Sequence, residues 1–149
     1  MNKGPRLAVR AIIRRDDRVL IVNAWPGQQS DLWCAPGGGV ERGQSLPDNL
    51  ARELREETGL EITVGAPCLV NEFHDPARGF HQVELFFLAT ITDSDVVDSS
   101  RDPEGIVNRH RWVTRDELLR LRFKPDSLPD IAFGPRQAAA YDPLETIVP

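Results

Sequence analysis

The 149-residue chain has only two cysteines, Cys34 and Cys68, too few for a disulfide framework or a four-cysteine zinc site. Two reduced thiols packed as small hydrophobes fit a cytoplasmic location. Long apolar runs are missing too. Val19-Leu20-Ile21-Val22 and Leu85-Phe86-Phe87-Leu88-Ala89 are among the longest, and both are strand-sized, so no membrane partner is expected. Arg6, Arg10, Arg14 and Arg15 interrupt the apolar N-terminal stretch and leave no signal-peptide core. Positive charge is in deficit: the net charge is −5 and the pI near 5.2, which sets aside a nucleic-acid backbone as main partner. Phosphates remain accessible to such a chain through a metal ion or backbone amides. Repeats and low-complexity tracts are absent. What remains is ordinary globular composition, 40% hydrophobic and 28% charged, and a single domain over 1–149 is expected.

Local patterns give the order of elements. Leu7, Val9, Ala11 and Ile13 alternate with a second face, which is strand periodicity, and the polar Arg15-Asp16-Asp17 predicts a turn into a second strand at Val19–Val22. Residues 25–43 are rich in Gly, Pro, Gln and Ser and read as loop or short extended pieces. Ser45 with Asp48, Pro47 in the first turn and Gly59 at the end predict a helix from Leu46 to Thr58. Short strands follow near Glu61–Val64 and Leu69–Phe73, then a long one from His81 to Ile91 that is apolar on both faces and implies a sheet covered on both sides. Asp93 to Gly105 reads as an acidic loop and Ile106 to Val113 as a strand. Thr114 with Glu117 predicts a capping box opening a helix through Leu121. Beyond Phe123 come five prolines (125, 129, 135, 143 and 149), so a short helix near Leu128–Phe133 and an extended tail are expected. The order of mixed strands with two helices set apart predicts an α+β fold or an α/β/α sandwich with a mixed sheet, its core at about 6–122 and a proline-rich extension at 123–149.

The predicted helix carries the chemistry. Glu53, Glu56 and Glu57 stand at i, i+3 and i+4 and share an arc of roughly 100°. Three such carboxylates repel one another unless a cation joins them, and hard oxygen ligands suit Mg²⁺, with Mn²⁺ as a substitute. Arg52 pairs with Glu56 one turn on. A solvated acidic face is the alternative reading of the helix alone. The loop before it, Pro36-Gly37-Gly38-Gly39 then Val40-Glu41-Arg42-Gly43, lets backbone approach a ligand and offers carbonyls to a metal.

Loop and helix together resemble the Nudix hydrolases. The family box, glycine, five residues, glutamate, seven residues, then Arg-Glu-apolar-any-Glu-Glu-any-Gly-apolar, falls on Gly38 to Leu60, GGVERGQSLPDNLARELREETGL. Eight of its nine specified positions agree: Gly38, Arg52, Glu53, Leu54, Glu56, Glu57, Gly59 and Leu60. The ninth is Gln44, where the family has glutamate.

The resemblance implies a sandwich that hydrolyses a nucleoside diphosphate linked to another group, a nucleoside diphosphate sugar such as ADP-ribose or a nucleoside triphosphate. It implies Glu53, Glu56, Glu57 and the carbonyl of Gly37 or Gly38 as metal ligands, with Arg52 orienting the acids. Family members draw the general base from different places. Glu104 is the first candidate here, Glu53 the second and Glu84 the third. Gly37, Gly39 and Glu41 are candidate substrate contacts. So are Arg78 and His81, which sit between two predicted strands and read equally as a solvated hairpin loop. A homodimer is a further expectation. Gln44 keeps size and hydrogen bonding but loses a charge, so a catalytically weakened nucleotide-binding module is the competing reading.

Overall fold

The computed structural model describes residues 4–23, 30–92, 109–135, 139–141 and 145–148. Strand β1 (Arg6–Arg15) turns through Asp16, whose φ is 55°, into β2 (Arg18–Asn23), as the sequence predicts. The hairpin ladder joins Arg14 to Val19 and Arg15 to Arg18. Farther from the turn the glycine-rich segment takes the place beside β1. After the two-residue β3 (Leu32–Trp33), Gly37–Gly39 form β4 and pair antiparallel with β1, Gly39 opposite Ala8, Gly38 opposite Val9 and Gly37 opposite Arg10. Ala11 N–H also donates to the Pro36 carbonyl at 2.8 Å. The glycine run is therefore a short strand. A Cβ on Gly37 would overlap the Val9 carbonyl oxygen and the Arg10 Cα, so only glycine lets the two backbones approach this closely.

Helix α1 (Leu46–Thr58) has the predicted bounds and caps. Ser45 Oγ accepts from Asp48 N–H, and Gly59 takes the left-handed conformation at φ 76° while donating to the Arg55 carbonyl. The two short strands expected next are one long strand, β5 (Ile62–Asp75), with an irregular register around Pro67. A bulge there absorbs the proline and keeps the ladder going on either side. Its partner β6 (Phe80–Ile91) begins almost at once after a single 3₁₀ turn at Pro76–Arg78. The predicted loop from Phe73 to His81 is thus mostly paired strand.

Strand β7 (Arg109–Thr114) leads into α2 (Arg115–Leu119), and the Thr114–Glu117 capping box is present on both sides. The helix stops two residues before Leu121, where Arg120 caps it. The chain then forms β8 (Arg122–Phe123), parallel to β3, followed by α3 (Leu128–Phe133) as predicted. The last described pieces, β9 (Ala140–Tyr141) and β10 (Glu145–Thr146), run parallel to β5. The main sheet has the order β10-β5-β6-β1-β2-β7, mixed in direction.

Two apolar clusters sit on this sheet. One packs Leu50 and Leu54 of α1 against Val9, Ala11, Ile13 and Phe87. The other packs Leu118 of α2 and Leu128 and Ala132 of α3 against Ile12, Leu69 and Phe86. Fully burying one such Leu side chain is worth about 1.5–3 kcal/mol, so α1 is anchored to the sheet by its apolar stripe. No helix of the described residues is long and apolar enough to cross a membrane.

Candidate active site

With Leu50 and Leu54 buried on the sheet, α1 turns Glu53 toward the glycine strand. A side chain on Gly38 would overlap the Glu53 carboxylate, so that carboxylate lies against bare backbone. Its side chain is only 18% exposed, whereas that of Glu56 is 59% exposed. Burial pushes the Glu53 carboxyl above the usual carboxylate range, and the Arg52 guanidinium opposes part of that rise.

Arg52 is the hub of the helix face. Its guanidinium meets Glu53 at 3.3 Å, Glu56 at 3.2 Å and Glu41 at 3.6 Å. It also donates to Gln44 Oε1 at 3.2 Å and to Asn49 Oδ1 at 3.1 Å. Burial alone would lower the Arg52 pKa, but Glu53, Glu41 and Glu56 outweigh it and hold the proton more firmly. Gln44 is thus a neutral acceptor on the same guanidinium. Gln44→Glu should lower half-saturating Mg²⁺ by about three- to tenfold, or about 0.7–1.4 kcal/mol, as a neutral hydrogen bond becomes charge-assisted. A magnesium titration of turnover checks this, and an unchanged midpoint would make position 44 a bystander.

Asn49 is a site residue that the sequence reading missed. It is fully buried, accepts from Glu41 N–H at 2.8 Å and donates to the Gly39 carbonyl at 3.0 Å. One amide therefore pins the loop to the helix. Its position one turn before Arg52 and Glu53, on the same arc as the acids, was the available signal. Arg10 was missed as well; it stands alone as a charged residue between Val9 and Ala11. Glu84 is buried with both carboxylate oxygens engaged, by Arg10 and Gln82 on one and Asn71 on the other. It is the ion-pair partner of Arg10.

Glu57 is half-buried and lies within electrostatic reach of Arg10. Among the described residues, no three His, Cys, Asp or Glu side chains form a ready-made metal cage. A magnesium-type site does not need one, since it takes one or two carboxylates, waters and substrate phosphate oxygens. The donor set of Glu53, Glu56, Glu57 and glycine carbonyls is of that hard-oxygen kind, and Gly38 leaves the room for it.

Other candidates fall elsewhere. Arg78, with a side chain 78% exposed, pairs with Asp75 at 3.5 Å in the turn between β5 and β6. His81 meets Glu72 at 3.2 Å and faces His74 across the strands. Among the described residues neither touches α1. Glu104 lies outside the described residues.

An acidic helix braced by an arginine is thus pressed on a glycine strand, in a mixed sheet covered on both faces. A model of the NUDIX domain matches residues 4–131. The CTP pyrophosphohydrolase of Escherichia coli is 49% identical over 123 residues, covering 81% of this chain and 84% of that protein. The ADP-ribose pyrophosphatase of Methanocaldococcus jannaschii is 28% identical over 92 residues, covering 62% of this chain, which spans only 54% of that protein. Among solved structures, a NUDIX hydrolase from Nitrosomonas europaea shares the fold with a TM-score of 0.74 at 21% identity, over 91% of this chain and 93% of that one. The chain belongs to the Nudix family of hydrolases, which act on pyrophosphate bonds. Members of this family generally use divalent metal ions.

Proposed function

We propose that this protein is a Mg²⁺-dependent pyrophosphohydrolase of nucleoside triphosphates. The observation that carries the metal site is the Glu53 carboxylate lodged where Gly38 has no side chain. The choice of triphosphates over nucleoside diphosphate sugars rests on the E. coli relative, whose identity and coverage exceed those of the ADP-ribose pyrophosphatase. Glu53, Glu56, Glu57 and a carbonyl of Gly37 or Gly38 would hold the metal. When bound, a divalent ion offsets charge on the phosphate oxygens and helps generate the attacking hydroxide. Arg52 keeps the acids oriented while Asn49 fixes the loop. Glu104 stays the first proposed general base, and Glu53, screened from solvent, the second. Gly37, Gly39, Glu41, Arg78 and His81 stay proposed substrate contacts, and a cytoplasmic homodimer belongs to the same reading.

The test is product release from a panel of ribo- and deoxyribonucleoside triphosphates, ADP-ribose and other nucleoside diphosphate sugars, each with Mg²⁺, Mn²⁺ or EDTA. Pyrophosphate and a nucleoside monophosphate from triphosphates, lost in EDTA, are the expected result. Turnover confined to ADP-ribose would overturn the substrate class. Binding without turnover of any of them would favour the weakened module.

A further inference from the structure

Arg10 lies in β1 with its side chain 16% exposed. Its Nε donates to Glu84 Oε2 at 2.9 Å, and its Nη1 donates to the Ala35 carbonyl at 3.1 Å. Its backbone is in register with Gly37, and the next residue, Ala11, holds the Pro36 carbonyl through its N–H. Arg10 thus holds the Ala35 carbonyl, its neighbour holds that of Pro36, and Gly37 lies opposite Arg10 in the ladder. These three lead directly into the strand against which the Glu53 carboxylate lies. Arg10 also lies within electrostatic reach of Glu53 and Glu57. A guanidinium so placed, if its charge were unshared, would compete with a divalent cation for Glu57. Glu84 shares that charge, at 2.9 Å. It is locked on Arg10 by Gln82, at 2.9 Å to Oε2, and by Asn71, at 3.0 Å to Oε1.

We propose that Arg10 is a positioning residue of the metal site: it aligns the glycine strand with the helix acids, and Glu84 draws its charge away from them. The proposal rests on the reading of that site given above. It assigns a purpose to a buried ion pair, which is weak evidence for stability in itself because an apolar pair of similar volume often serves as well.

The experiment measures Mn²⁺ binding to the full chain by electron paramagnetic resonance of the free ion, alongside thermal unfolding. Three proteins are compared with the unaltered one: Arg10→Lys, Glu84→Gln, and the double variant Arg10→Met with Glu84→Leu. The double variant removes both charges together, so the net field at the acids changes little and a loss of affinity reports lost alignment. A weakening of Mn²⁺ binding by about tenfold or more is expected in the double variant, on the scale seen when groups orienting metal ligands are removed. Glu84→Gln should weaken binding as well, because Arg10 then keeps its place with its charge unshared. Arg10→Lys should also weaken binding, since an ammonium lacks the fork that reaches Glu84 and Ala35 together.

A folded double variant with unaltered Mn²⁺ affinity would reduce the pair to structural cement and overturn the proposal. Should the double variant fail to fold, unaltered affinity in a folded Arg10→Lys protein would overturn it equally. Absence of Mn²⁺ binding by the unaltered protein would instead overturn the metal site, and this inference with it.

Discussion

Glu57→Gln should lower kcat by about 10²–10³-fold, or about 2.7–4 kcal/mol, the range for losing one electrostatic stabiliser of the transition state. The fold should survive it. Glutamine has the same shape, Glu57 is half-buried on a helix anchored by Leu50 and Leu54, and Arg10 keeps Glu84 as its partner. The informative measurement is therefore a pair: the turnover rate in saturating Mg²⁺ and the thermal unfolding midpoint. A collapsed rate with an unmoved midpoint places Glu57 in the chemistry. Retained turnover would remove it from the metal site, whatever the midpoint does.

Two neighbouring glycines should respond in opposite ways to alanine. In Gly37→Ala the new methyl overlaps the Val9 carbonyl and the Arg10 Cα, which are backbone atoms in the middle of the sheet. They cannot swing aside, so β1 and β4 must separate. A cost of about 3 kcal/mol or more is expected, lowering the unfolding midpoint by about 10 °C. In Gly38→Ala the methyl overlaps only the Glu53 carboxylate, the free end of a side chain. Stability should change little, while kcat falls by about 10²-fold because a reacting group has been displaced by an ångström or so. Calorimetry and steady-state kinetics on the two proteins check this. A Gly38→Ala protein with unaltered kcat would show that the position of Glu53 against the strand is unimportant.

The reach of the sequence followed the reach of the forces. Helix α1 was legible to its end residues because its signals are local: Ser45 caps Asp48 three residues away, and Gly59 closes on Arg55. The same holds for the Thr114–Glu117 box. The glycine strand was legible only as loop or short extended pieces because its pairing is with β1, some thirty residues earlier, and glycine has no strand preference of its own. Strand β5 was read as two because Gly65-Ala66-Pro67 resembles a break, and only β6 alongside it shows a bulge. At the site, the acids and Arg52 were visible through their helical spacing. Asn49 and Arg10 were not, since their meaning depends on carbonyls at Gly39 and Ala35 that no periodicity reveals.

The outer side of β5 carries a further lesson. Both β9 and β10 run along it, and Ile147 N–H donates to the His74 carbonyl at 3.0 Å. Lys124 Nζ, meanwhile, meets Glu145 at 2.7 Å across the end of the sheet. A fourteen-residue strand with its peptide groups bare would be a template for any other extended chain. At Leu69–Val70 and Phe73–His74 the tail acts as a selvedge, a finished border that covers that stretch of the edge. Trimming the chain after Gly134, or fusing a long extension to its end, interferes with that border, so self-association in such a protein would report an unravelled edge rather than a native dimer.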